Sequence, residues 1–266
     1  MPTALVITAA GINCDRELLE AFRLAGCDAE PVLLHRLIEE PGLLERADLI
    51  GLPGGFSYGD DIAAGRVMAT LIRQRLHEPM TRAIERGTPM IAPCNGFQIA
   101  VQAGLLPGPV DGAAWPTAPA VPTVALAENA AGRFLDRWTQ VEVPTTTRCV
   151  WTRGLDAEPA TRMLPIAHGE GRFVTDPDHL AALEASGQVA LRYASGDTPN
   201  GSMGDVAGNC AASGLVFGLM PHPARSLHWT QHPYWTRLDD PQMKDAPLGL
   251  RFLRQAVAPT TGVPSA

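Results

Sequence analysis

The first hundred residues alternate short apolar runs with segments of helical character. Runs with the length and composition of buried strands occur at 4–7, 31–34, 48–52 and 90–92. Helix-like stretches separate them; one ends at Gly26 with Asn13 or Asp15 as candidate N-cap, another ends by Arg46, and a long one runs from 63 to 86. Strands that alternate with helices predict a mostly parallel sheet with helices on both faces. We therefore expect an α/β fold with a mostly parallel sheet flanked by helices, whose ligands bind where the strands end.

The second half of the chain is richer in turns. Five prolines between Pro107 and Pro122 interrupt regular structure and predict a surface loop. Further strands are expected near 138–143, 189–193 and 215–219, followed by a closing helix at 247–256. We find no repeat and no sign of an independent second domain. The prediction is one domain over residues 3–258 with a frayed tail at 259–266.

Composition excludes several classes of partner. The formal net charge is −7, and no run of Lys or Arg is present, which argues against nucleic acid and against an anionic membrane surface. No stretch approaches the ~20 apolar residues that span a bilayer. The five cysteines are odd in number and lack paired CxxC spacing, so neither a disulfide framework nor a zinc site is expected. These features predict a cytoplasmic protein without a bound metal.

Cys94 lies where an apolar strand turns sharply into a helix. The segment Pro-Met-Ile-Ala-Pro-Cys-Asn-Gly-Phe-Gln spans residues 89–98. Such a turn holds the corner side chain out of the sheet and points backbone N–H groups at it. A thiol nucleophile needs this geometry, whereas the alternative is a buried structural cysteine.

His222 is the strongest candidate for the base that a thiol nucleophile requires. It follows the apolar run 214–220 and is flanked by Pro221 and Pro223. This places an imidazole at a strand end, at the edge of the sheet where Cys94 is expected. A surface histidine or a satisfied core histidine is the alternative.

Five ordered motifs give the chain a specific resemblance. They are Pro53-Gly-Gly-Phe-Ser-Tyr-Gly-Asp60, Cys94-Asn-Gly-Phe-Gln98, Pro165-Ile-Ala-His-Gly-Glu-Gly-Arg172, Asn200-Gly-Ser202 and Met220-Pro-His-Pro223. In this order they resemble the glutaminase subunits of formylglycinamide ribonucleotide amidotransferases, which belong to the class I (triad) glutamine amidotransferases. The resemblance runs from about Leu5 to Ala256.

The resemblance implies an activity and a role for each site residue. Cys94 would attack the carboxamide carbon of glutamine, and His222 would take the thiol proton and return it to the departing ammonia. The backbone N–H of Asn95 and one from the Gly54–Gly55 loop would hold the oxyanion. Gln98 would contact substrate, although a glutamine on a helix surface is the alternative.

The resemblance also implies partners. The ammonia would pass to a synthetase subunit that converts formylglycinamide ribonucleotide to formylglycinamidine ribonucleotide in purine biosynthesis, and a small third subunit is compatible with such a complex. The chain has no GxxxxGK[ST] loop. ATP and Mg²⁺ are therefore expected on the synthetase, and no cofactor is expected on this chain.

Two further segments can each be interpreted in two ways. His168-Gly-Glu-Gly-Arg172 matches the family but could form an ordinary tight turn with solvated charges, so no catalytic chemistry is assigned to it. Asp60 and Asp61 lack further ligand spacing and suit a solvated turn better than a metal pair, with Asp61 as candidate cap of the next helix.

Three features depart from the family pattern. Ala224 stands where the family has the glutamate that completes the triad. Ala92–Pro93 replaces a Gly-Ile-type pair before the cysteine, and 8–11 lacks the usual arginine and proline. These departures leave a second hypothesis, a catalytically impaired subunit that acts in docking. A third, a peptidase-like or glyoxalase-like hydrolase, gives no reason for Gln98 or for segment 168–172.

Overall fold

The computed structural model describes residues 1–261 as an α/β fold built on one large sheet and one small sheet. Within these residues the strands are β1 Thr3–Thr8, β2 Asp28–Leu33, β3 Leu49–Gly51, β4 Met90–Pro93, β5 Val124–Glu128, β6 Leu135–Glu142, β7 Met163–His168, β8 Glu170–Thr175, β9 Val189–Tyr193, β10 Val206–Cys210 and β11 Val216–Leu219. The helices are α1 Asp15–Leu24, α2 Leu34–Glu39, α3 Arg66–Arg75, α4 His77–Glu85, α5 Asn95–Gln102, α6 Pro177–Ala185 and α7 Leu248–Thr261.

The large sheet has a parallel half and an antiparallel half. Its order is β2-β1-β3-β4-β11-β10-β9-β6-β7, and β2 through β11 in this order are all parallel. The remaining strands, from β10 to β7, pair antiparallel. The predicted α/β fold is confirmed, and the turn-rich second half supplies the antiparallel strands. Strands β5 and β8 form the separate small sheet.

Helices cover both faces of the large sheet because each carries an apolar stripe. On one face, α1 and α7 bury Leu18, Phe22 and Phe252 against the strands. On the other, α3, α4 and α5 bury Met68 and Ile99, among others. Burial of such stripes is the main source of stability for short helices. Within residues 1–261, no helix has both the length and the apolar character that crossing a bilayer requires.

The predicted long helix at 63–86 is wrong, because the structure divides it into α3 and α4. The break falls at Leu76, three residues before Pro79. A proline in the interior of one continuous helix would remove a hydrogen bond and clash with the carbonyl of the preceding turn. In α4 that proline lies in the first turn, where its missing N–H costs nothing. The helical segment predicted to end by Arg46 is likewise divided, into α2 and a 3-10 turn over Pro41–Arg46.

Two predicted helix caps are also corrected. Helix α1 has Cys14 as its N-cap residue, and neither Asn13 nor Asp15 caps it through a side chain. Helix α3 begins after Gly65, whose N–H donates to the carboxylate of Asp60 at 3.0 Å, so Asp61 does not cap it.

The proline-rich stretch is as predicted, whereas the C-terminal helix is longer than predicted. The proline-rich stretch 107–122 contains no helix or strand, as predicted. Helix α7 extends through 259–261, which belong to the tail predicted to fray, and 262–266 lie outside the described residues. The domain limits of 3 and 258 stay a prediction.

Candidate active site

The candidate site lies at one edge of the parallel half of the sheet, where several strands end. Cys94 directly follows β4, His222 follows β11, and the Gly54–Gly55 loop follows β3. Carboxyl ends of neighbouring parallel strands meet at one edge, so residues far apart in sequence come together there. The structure thus brings the predicted site residues to one place.

Cys94 occupies a strained turn between β4 and α5. Its backbone has φ 52° and ψ −111°, a conformation that non-glycine residues rarely adopt. A Cβ at Gly96 would lie 1.9 Å from the carbonyl oxygen of Leu52, so only glycine allows the helix to start this close to β3. This is the elbow geometry that the sequence predicts for a nucleophile.

Ala92 and Pro93 do not prevent this turn from forming. Both lie in β4 and pair in parallel register with Gly218 and Leu219 of β11. The N–H of Cys94 then donates to the carbonyl of Leu219 at 2.7 Å. The departure from the family pattern is therefore accommodated within the sheet.

The thiol of Cys94 is buried and neutral in this arrangement. Burial raises its pKa to about 12, and nearby Cys14 adds to the rise, whereas the N–H of Asn95 lowers it. The thiol donates to the carbonyl of Ala167 at 3.5 Å. The Asn95 N–H thus points to the sulfur side of the turn, where an oxyanion would form.

Gly54 lies beside both Cys94 and His222. A Cβ placed there would lie 3.0 Å from Cε1 of His222 and 3.4 Å from Cβ of Cys94. Gly55 has φ +144°, and its own Cβ would meet the backbone of Ile12 and Asn13 at 2.8 Å. Among the described residues, neither glycine N–H has a hydrogen-bond partner. Both amides are free to donate to a bound group.

His222 is held by its backbone while its ring keeps a free nitrogen. Its N–H donates to the carbonyl of Pro165 at 2.8 Å. Within residues 1–261, Nε2 is buried and has no hydrogen-bond partner. Burial, the positive charge of Arg225 and nearby His168 together lower the pKa of His222 to about 3. The imidazole is therefore neutral, and its Nε2 is free to accept a hydrogen bond.

Asn95 and Gln98 lie in a buried hydrogen-bond network, not on a helix surface. The Asn95 side chain accepts from the N–H of Ser57 at 3.1 Å, and it donates to Asp60 at 3.1 Å and to Gln98 at 2.9 Å. Gln98 donates in turn to the carbonyl of Glu170. The network joins α5 to the glycine loop and to segment 168–172. The substrate-contacting role of Gln98 stays a prediction.

Segment 168–172 is a half-buried connection between β7 and β8 instead of a solvated turn. His168 ends β7, and its Nδ1 lies 3.0 Å from Oδ1 of Asn129. Burial lowers the pKa of His168 to about 4. A Cβ at Gly171 would lie 2.3 Å from that same Nδ1, so glycine is required for the ring to fit. This packing explains Gly171, whereas a Cβ at Gly169 would meet only Phe134 among the described residues, at 3.9 Å.

Sequence reasoning missed three residues beside His222. Cys14 precedes α1 at the carboxyl end of β1, and Glu17 lies in the first turn of α1. Arg225 donates to both oxygens of Glu17, at 2.9 and 3.1 Å, and to Sγ of Cys14 at 3.3 Å. The signal available was topological, since β1 is parallel to β3 and its end faces the same edge.

Comparison with known proteins shows which family this chain resembles. The family model described as "CobB/CobQ-like glutamine amidotransferase domain" matches residues 1–257. A relative from Dehalococcoides mccartyi, named phosphoribosylformylglycinamidine synthase subunit PurQ, is 38% identical over 261 residues, covering 95% of each chain. A protein of the same name from Cereibacter sphaeroides is 40% identical over 86% of this chain and 90% of its own.

One solved structure is similar to this chain in both fold and sequence. The structure titled PurLQS from Thermotoga maritima contains a chain that superimposes with a TM-score of 0.71 at 31% identity, covering 97% of this chain and 99% of that one. The match to the family model and the relatives' identity each extend over most of the chain. The chain therefore belongs to the CobB/CobQ-like glutamine amidotransferase domain family.

Proposed function

We propose that this chain hydrolyses glutamine to glutamate and ammonia and passes the ammonia to a synthetase that makes formylglycinamidine ribonucleotide in purine biosynthesis. The observation that carries the proposal is the strained Cys94 elbow with the free imidazole nitrogen of His222 across Gly54. The synthetase reaction is proposed from the name of the relatives, phosphoribosylformylglycinamidine synthase subunit PurQ, which are similar over most of this chain.

The chemistry follows from the neutral pair of side chains. His222 removes the proton of Cys94 as Sγ attacks the amide carbon of glutamine, which forms the S–C bond. The imidazolium then gives its proton to the amide nitrogen, the C–N bond breaks, and ammonia leaves. Water hydrolyses the remaining γ-glutamyl thioester, which releases glutamate and restores the thiol.

The oxyanion of each tetrahedral intermediate needs donors that are fixed before the reaction. The N–H of Asn95 already lies beside the Cys94 sulfur, and the N–H groups of Gly54 and Gly55 have no other partner among the described residues. Donors of this kind act without reorganisation, and removing one typically costs 10²–10³ in kcat.

The partner that we propose is the synthetase subunit that consumes the ammonia. A synthetase subunit would bind ATP and Mg²⁺ and use the ammonia, so we assign no cofactor to this chain. The structure titled PurLQS suits such an assembly. The cytoplasm is the compartment that we propose, since all five cysteines are unpaired thiols.

A second candidate function is favoured by one observation. Ala224 is buried next to the turn of His222 and offers no acceptor to the imidazole. Loss of the orienting acid costs about 10⁴ in a serine-protease triad, although a cysteine depends less on its base. The alternative is a subunit that docks on the synthetase without turnover.

Glutaminase turnover, measured with and without the synthetase, separates the two functions. We expect turnover that rises when the synthetase is added and disappears in Cys94→Ala, while Cys27→Ala, which removes a buried thiol outside the site, keeps it. A glutamine-analogue affinity reagent should modify Cys94 alone. Wild-type turnover no higher than that of Cys94→Ala would establish the docking role instead.

A further inference from the structure

The turn that carries His222 provides no carboxylate for its imidazole. Residue 224 is alanine, and its side chain is buried. A base that cycles between neutral and protonated forms works best when a third group fixes its tautomer and stabilises the imidazolium. If the site turns over, this group must come from elsewhere in the fold.

Glu17 brings a carboxylate to the imidazole from α1. One carboxylate oxygen of Glu17, one ring nitrogen of His222 and Sγ of Cys14 all lie within 4.8 Å of one another. No direct hydrogen bond joins Glu17 to His222 in the resting arrangement. The Glu17 side chain is 33% exposed, so a water molecule can bridge its carboxylate to the ring.

Arg225 fixes the position of that carboxylate. Its Nε donates to both oxygens of Glu17 at 2.9 and 3.1 Å, and it lies three residues after His222 on the same turn. The ion pair therefore couples helix α1 to the histidine turn. Charge-assisted bonds of this kind are among the stronger ones in proteins, and they hold the carboxylate within 4.8 Å of a ring nitrogen.

The same three groups could instead ligate a metal ion. Thiolate, carboxylate and imidazole are all zinc ligands. Yet the guanidinium of Arg225 already contacts both Cys14 and Glu17, so a cation would have to displace it from two of the three groups. The positive charge that balances Glu17 is supplied by the protein itself.

We propose that Glu17 is the positioning carboxylate of His222, supplied by α1 in place of the acid missing at position 224. The inference rests on the proposed glutaminase function. Glu17 does not touch the reacting atoms. It holds the imidazole so that one nitrogen faces Cys94, and it stabilises the imidazolium formed when the thiol proton is transferred.

The test is Glu17→Gln, assayed in the complex with the synthetase. Glutamine keeps the shape of the side chain and removes its charge. We expect kcat to fall at least tenfold with KM for glutamine changed less than twofold, because the residue acts on the base and not on substrate. Glu17→Asp should recover part of the loss. The matched control is Glu20→Gln, an exposed glutamate of the same helix, which should keep wild-type kcat.

A second carboxylate distinguishes positioning from a structural role. Ala224→Glu should restore at least tenfold in the Glu17→Gln background and should add nothing to the wild type, which already has an acid. The limb of the kcat pH profile that reports His222 should shift in Glu17→Gln and return in the double variant. Arg225, His168 and Cys14 also lie near that ring, and Cys94 lies with it beside Gly54; all four are unchanged throughout.

The outcomes separate this inference from the proposed function. Wild-type turnover equal to that of Cys94→Ala would contradict both the glutaminase function and the role of Glu17. An active wild type with an equally active Glu17→Gln overturns the inference alone, as does an equal gain from Ala224→Glu in both backgrounds. One equivalent of zinc retained by the wild type and lost in Glu17→Gln would assign the cluster to metal binding instead.

Discussion

Gly96 is the residue on which the shape of the nucleophile turn depends most directly. It packs against the backbone that directly follows β3, and any added Cβ would overlap the carbonyl oxygen of Leu52. That contact is with backbone, which cannot move aside as a flexible side chain can. The close approach is what allows α5 to start one residue after the thiol.

Gly96→Ala should therefore destabilise the fold and displace the thiol together. We expect a loss of about 1–3 kcal/mol in the free energy of unfolding, the usual cost of overpacking, and a large drop in glutaminase turnover. Gly42→Ala is the control, because nothing lies within 4 Å of a Cβ there. Urea unfolding of both variants measures the effect, and coincident transitions for the two would disprove the steric argument.

Residue patterns predicted only the part of the site that lies in recognisable local motifs. Cys94 and His222 each follow an apolar strand and could be selected from their immediate neighbours. Arg225 reaches partners on α1 that are 208 and 211 positions away in sequence. No local pattern encodes such a pairing, because it depends on how α1 and the histidine turn pack.

At the level of elements, the Asp60 carboxylate provides one of the contacts that tie the loop at 53–65 to α5. Asp60 accepts from the side chain of Asn95 at 3.1 Å and from the N–H of Gly65 at 3.0 Å. Burial raises the pKa of Asp60, and these two donors offset part of that rise. The carboxylate thus fixes the glycine loop against the elbow and also helps to start α3.

Asp60→Ala should loosen that loop, while Asp61→Ala should not. We expect Asp60→Ala to raise KM for glutamine and to cost about 1–3 kcal/mol in stability, since buried donors lose their acceptor. Asp61 is exposed, and its replacement should stay within about 0.5 kcal/mol of wild type. Steady-state kinetics with the synthetase and thermal unfolding give both quantities. Equal KM values for the two variants would count against the tether.

Elements with a clear local signal were predicted well, and those defined by long-range pairing were not. β9 occupies the predicted range 189–193, because a run of Val, Leu and Tyr is a strong strand signal. β5, β7, β8 and β10 were missed, and the last three of these contain Pro165, Gly171 and Gly208. Glycine and proline weaken strand propensity, so these strands owe their formation to tertiary pairing.

At the scale of the whole molecule, burying neutral histidines makes stability depend on pH. His168 and His222 are both almost fully buried, and burial lowers their pKa from 6.5 to about 4 and about 3. The unfolded chain binds protons at these residues below about pH 6.5, whereas the folded chain does not. The stability that these two neutral histidines contribute is therefore fully present above that pH. It is lost as the pH falls toward their pKa values in the folded state.

The contribution of one buried histidine to this pH dependence can be measured with His168→Gln. This substitution removes a buried imidazole and keeps an amide that can hydrogen-bond to Asn129. Each buried neutral histidine should cost about 1–2 kcal/mol between pH 7 and pH 5. His168→Gln should then lose that much less than wild type over the same interval, measured by urea unfolding at both pH values. His35→Gln, at an exposed position of α2, should follow the wild-type curve. Parallel curves for all three proteins would mean that His168 is protonated without cost in the folded state, and burial would not govern its titration.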